Sequence, residues 1–96
     1  MKFNEYYKHY MNLHKNKWNR RLHVIGQVST ISFVIFCIFL QYYILLFFVP
    51  FVVYPFAWSG HYFFEKNKPA AFSDPIRAKM ADWVMFKDWL TGRIDR

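Results

Sequence analysis

The chain has 96 residues, enough for one small unit and too few for a second domain. Hydrophobic residues make up 55% of it and aromatics 24%, more apolar surface than the modest core of a soluble domain this size can cover. A formal charge of +7 would suit nucleic acid if the basic residues lined one face of a soluble fold, but here they flank an apolar stretch, which argues against a nucleic-acid partner.

Residues 3–13 predict a tyrosine-rich helix, followed by a polar break at His14-Lys15-Asn16-Lys17. Trp18 and the pair Arg20-Arg21 then read as interfacial anchors leading into the membrane. From Val24 to Phe64 there is no Asp, Glu, Lys or Arg. As one helix these forty-one residues would extend roughly 60 Å, about twice the ~30 Å hydrocarbon core. Two antiparallel arms, 24–40 and 44–60, resolve the mismatch, with Gln41-Tyr42-Tyr43 as the turn. Each arm is at the short end of a span, so a full crossing and a re-entrant hairpin both fit. Pro50 and Pro55 predict kinks in the second arm. Cys37, the sole cysteine, lies deep in the apolar run and reads as a small hydrophobic side chain. No signal peptide is expected, because the run begins late, is too long and lacks a small-residue cleavage pattern after it.

Asn67-Lys68-Pro69 ends the helix that carries His61, and Ser73-Asp74-Pro75 starts another, with a capping side chain before a proline. That helix should run to about Thr91, with Gly92 as its C-cap. Ile76, Met80, Trp83, Val84 and Leu90 share a stripe, which predicts a helix in the membrane interface covering the polar end of the hairpin, by ordinary amphipathic packing rather than with a function of its own.

The expected fold is therefore all-α: an integral membrane helical hairpin with amphipathic interfacial helices at both ends. It forms a single membrane domain, with a basic interfacial segment at 1–23, the hairpin at 24–64 and an interfacial helix at 65–96. Six Lys/Arg against one Glu precede Val24, and seven against five acids follow Phe64, which places both termini on the cytoplasmic side.

A hairpin returns its end to the side where it began, so His61 and Glu65 come back towards His23. Asn19 and His23 are four residues apart, as are His61 and Glu65, and within helices each pair shares a face. An imidazole and a carboxylate one turn apart suit a divalent metal, ferrous iron or zinc. The bland reading is an interfacial histidine and an ordinary helical His–Glu pair. Convergence of three histidines at one membrane face favours the metal, since ionisable groups beside hydrocarbon are costly. His9 falls outside these clusters.

Two stretches resemble a known family. His14-Lys15-Asn16-Lys17-Trp18-Asn19-Arg20-Arg21-Leu22-His23 is similar to the His-x-Asn-x-x-Asn-x-x-x-His signature of the 2-hydroxy fatty acid dioxygenase family. Gly60-His61-Tyr62-Phe63-Phe64-Glu65-Lys66-Asn67-Lys68-Pro69-Ala70 resembles its Gly-His-x-x-Phe-Glu-Lys-x-x-Pro-Ala signature. The resemblance implies an iron(II)-dependent membrane enzyme that uses dioxygen to shorten 2-hydroxy fatty acids by one carbon. It implies a bacterial inner membrane or the endoplasmic reticulum. His14, His23 and His61 would be metal ligands, Glu65 a ligand or its hydrogen-bonded neighbour, and Asn16 and Asn19 would orient the set. One departure stands: eukaryotic members carry more membrane segments and a further histidine with no counterpart here. Loss of that ligand, its replacement by Glu65 and loss of the oxygenase chemistry all remain open.

A 2-hydroxy acid can chelate iron through its carboxylate and hydroxyl, and three protein ligands leave room for that chelate and dioxygen. Lys66, Lys68 or Arg20 could neutralise the carboxylate, although anchoring at the membrane face explains each equally. Two thin arms leave a lipid-embedded site open, which makes a homo-oligomer reasonable. The rivals are a non-catalytic membrane subunit or scaffold, and a haem held by two histidines.

Overall fold

A computed structural model describes residues 2–96. Among the described residues every regular element is helical. Helix α1 (Phe3–Asn12) is followed by the break at His14, and Asn16 starts α2 (Lys17–Phe39) by accepting a hydrogen bond from the Trp18 N–H at 2.8 Å. At the far end the chain reverses at Gln41, which takes a left-handed conformation with φ 62°, inside the expected turn.

The second arm is less regular than an α-helix. Residues Tyr43–Phe51 form a 3-10 helix with Pro50 near its end. The helix restarts as α3 (Tyr54–Gly60), with Pro55 in its first turn, where a missing N–H costs no intrahelical bond. A π-turn, His61–Glu65, closes the arm, and Lys66 at φ 58° ends it. The two prolines thus flank the point where the helix type changes.

Two helical stretches are long and apolar enough to cross a membrane: Lys17–Phe39 and Tyr43–Glu65. Large apolar side chains such as Ile35, Phe39, Ile44 and Phe47 face outward along them, an arrangement a water-exposed surface seldom carries. The arms pack closely because Gly26 has no side chain: a Cβ there would lie 2.8 Å from Val53 Cγ2 and 3.2 Å from Phe56 Cβ. Cys37 is buried, in keeping with its reading as a small apolar side chain.

Helix α4 (Pro75–Leu90) begins as expected, with Asp74 accepting from the Arg77 N–H at 3.2 Å and Pro75 at the first position. It ends at Thr91, and Gly92 follows with φ 76°. Its inward face comprises Ala78, Ala81, Asp82, Met85 and Asp88. Tyr6 and Tyr10 of α1 pack against Ala78, Ala81 and Met85, and Tyr7 donates to Asp88 at 2.7 Å. Four members of the predicted apolar stripe, Ile76, Met80, Trp83 and Leu90, instead face outward. The helix therefore covers the end of the hairpin through its small and acidic residues, and presents its apolar stripe to the surroundings.

Candidate metal centre

Three elements deliver one histidine each: the break after α1 brings His14, α2 brings His23, and the end of the second arm brings His61. All three are buried, and one nitrogen from each lies within 4.8 Å of the others. The ring centroids are 4.4 to 5.3 Å apart, with each pair near perpendicular.

Hydrogen bonding orients every ring in the same sense. His14 Nδ1 is 2.6 Å from the Tyr10 carbonyl oxygen, which only accepts, so Nδ1 carries the proton. Asn67 donates its amide Nδ2 to the Leu13 carbonyl at 3.1 Å, which leaves its Oδ1 to accept from His61 Nδ1 at 2.6 Å. His23 Nδ1 faces the Asp82 carboxylate at 3.1 Å. With Nδ1 engaged in each ring, three Nε2 atoms remain with their lone pairs.

Those lone pairs provide a direct test of whether a cation fits. His14 Nε2 and His61 Nε2 are 2.9 Å apart, and the tautomers above leave neither with a proton to share. His23 Nε2 is buried and has no partner among the described residues. A divalent ion answers both features: it replaces lone-pair repulsion with coordination and satisfies the orphaned nitrogen. Beside the histidines lies a cavity of about 20 Å³, room for one ion or water molecule. Burial and the neighbouring His23 and His61 hold His14 well below the ordinary imidazole value, which keeps it neutral as a ligand must be.

The remaining expected site residues fall in three places. Glu65 lies outside the three-histidine cluster, and its Oε1 accepts from the Asn16 backbone N–H at 2.5 Å and from Asn19 Nδ2 at 3.3 Å. Two donors claim that carboxylate, so it joins the start of α2 to the end of the second arm. Gly60 makes room for this join, since a Cβ there would collide with Asn19 Oδ1. Arg20 is half-buried and donates to the His14 carbonyl at 3.3 Å, steadying the loop that carries the histidine. Lys66 and Lys68 are exposed and do not line the cavity beside the histidines.

Asp82, Asn67 and Tyr10 were not singled out from the sequence, yet they fix the three imidazoles. Asp82 offered one signal, an acid on the same face of α4 as Ala78, Ala81 and Met85. Gln27, one turn beyond His23 on α2, is fully buried, and neither of its amide atoms has a partner among the described residues.

Three neutral imidazoles and open coordination positions suit ferrous iron or zinc, with imidazole alone leaving the choice to the metal supply. The family model described as 2-hydroxy-palmitic acid dioxygenase Mpo1-like matches residues 1–94. No curated protein and no solved structure matches the chain.

Proposed function

The chain belongs to the 2-hydroxy-palmitic acid dioxygenase Mpo1-like family, and we propose that it is an iron(II)-dependent membrane dioxygenase that shortens 2-hydroxy fatty acids by one carbon. The observation that carries this reading is the set of three buried Nε2 atoms, each on a ring held at Nδ1 by an acceptor. Zinc is the competing metal for the same donors.

Iron at this site would supply one-electron chemistry with dioxygen and an electrophile for the acid's oxygens. The overall conversion balances without an external reductant: a 2-hydroxy acid and dioxygen give the acid one carbon shorter, carbon dioxide and water. The bond between the carboxyl carbon and the hydroxyl-bearing carbon breaks, and the substrate's four electrons reduce dioxygen.

The protein's part is binding, orientation and exclusion of water. Asp82, Asn67 and the Tyr10 carbonyl hold the rings so that Nε2 faces inward. Glu65, with Asn16 and Asn19, clamps the elements that bring His14, His23 and His61 together. Both termini lie on the cytoplasmic side in this reading, as the basic flanks indicate.

The test is conversion of 2-hydroxypalmitic acid by the iron-loaded protein in lipid discs. Oxygen-dependent release of the fatty acid one carbon shorter, abolished by an iron chelator, is the expected result. Turnover that survives removal of all metal would refute it.

A further inference from the structure

The cavity beside the histidines has a floor and a mouth that differ in chemistry. His14, His23, His61, Asp82 and Tyr10 line it and are buried, so they form the floor. Its more accessible lining includes Tyr54, Trp58, Ala71 and Lys79, which form the mouth. Tyr54 and Trp58 belong to α3, inside the apolar stretch Tyr43–Glu65, and Trp58 is 43% exposed. The mouth consequently opens on the flank of the second arm.

Lys79 is the only lysine or arginine lining this cavity among the described residues. Its Nζ donates to the Pro50 carbonyl at 2.6 Å and lies 4.8 Å from the centre of the Tyr54 ring. The Pro50 carbonyl falls where the 3-10 helix gives way to α3, so the lysine bridges α4 to the break in the second arm. A carboxylate is a stronger partner for an ammonium than a neutral carbonyl, and Pro50 is itself exposed. Partial burial lowers the Lys79 ammonium from its ordinary value, a sign that its charge is incompletely hydrated.

We infer that Lys79 receives the carboxylate of the 2-hydroxy acid at this mouth, while the acyl chain leaves past Tyr54 and Trp58 into lipid. The assignment rests on the proposed function and deepens it. The substrate it selects is a long-chain acid delivered sideways from the bilayer, with its hydroxyl-bearing end directed to the histidines. Lys66, Lys68 and Arg20 are then left to anchoring and loop support.

Equilibrium binding to the iron-loaded protein under anaerobic conditions separates this role from a structural one. The probes are 2-hydroxypalmitic acid and 1,2-hexadecanediol, which keeps the chain and hydroxyl but lacks the carboxylate. In Lys79→Met, acid binding should weaken roughly tenfold or more, as for a charge-assisted contact, with diol binding and iron content as in the wild type. Lys79→Arg should restore acid binding. Acid binding by Lys79→Met equal to the wild type would overturn the assignment while leaving the proposed function intact; failure of the wild type to bind or shorten the acid would overturn both. For the mouth, a 2-hydroxy acid brominated along its chain should quench a tryptophan component that is missing in Trp58→Phe. Equal quenching in both proteins would place the chain elsewhere.

Discussion

Asp82 Oδ1 lies 3.1 Å from His23 Nδ1, a contact that joins α4 to α2 across 59 residues of chain. It is the kind of carboxylate–histidine pairing that fixes a ring in one tautomer and orientation, as a metal ligand requires. Asp82→Ala should leave the hairpin folded and weaken metal binding by about 10–100-fold, measured by competition with a chromogenic chelator. Asp82→Asn keeps an acceptor oxygen and should fall between. Wild-type affinity in Asp82→Ala would show that the contact does not tune the site.

Glu65 separates two accounts of the metal shell. With its carboxylate on Asn16 and Asn19 and outside the histidine cluster, Glu65→Gln should retain near-stoichiometric metal, because an amide oxygen still accepts those bonds. Glu65→Ala should lower the unfolding temperature, since it strands the half-buried Asn16 N–H and the amide of buried Asn19, at about 1–3 kcal/mol for a buried donor. Loss of metal in Glu65→Gln, as complete as in His23→Ala, would make the carboxylate a ligand.

Gly60 is required by a close approach to Asn19. A methyl group there would collide with Asn19 Oδ1, displacing the amide that bonds Glu65. Gly60→Ala should destabilise the protein by about 1–3 kcal/mol and loosen metal binding along with it. Calorimetric unfolding in detergent beside metal titration tests this, and an unchanged melting temperature would contradict it.

Acid should weaken the metal-free protein through His14. Its folded-state affinity for a proton is lowered by burial and by His23 and His61, whereas an unfolded imidazole titrates near 6.5. The unfolded chain thus takes up the proton first as pH falls. The contribution of a neutral buried His14 is full above about 6.5 and is lost as pH drops towards the folded-state value, by at most about 1.4 kcal/mol per pH unit for one proton. Denaturant midpoints of metal-free protein, wild type against His14→Gln, should converge on acidification. A wild-type midpoint that rises below pH 6 would reverse the sign.

Much of this architecture is legible in the sequence because lipid imposes coarse demands. The charge-free run from Val24 to Phe64 is too long for one crossing, and the structure reverses at Gln41 within the expected turn. His14, His23 and His61 could be grouped because the hairpin brings its ends together. Their orienting groups could not. Asp82 comes from another helix, and Asn67 lies six residues beyond His61 across a π-turn and a left-handed residue. Reading α4 by its apolar stripe found the helix but not its packing face. Ala78 and Ala81 face inward because small residues permit close approach of α1, with Met85 filling the space beside them, while Ile76 and Met80 face outward. Where lipid covers the outside, hydrophobicity no longer marks the inside, and small size is the better guide.

Metal content tests the central claim most directly. Protein purified anaerobically in detergent after iron supplementation should hold about one iron per three-histidine site, and a His23→Ala/His61→Ala double variant that remains folded should hold none. A well-folded wild type without bound metal would contradict the metal centre and leave a helical hairpin whose histidines serve another purpose.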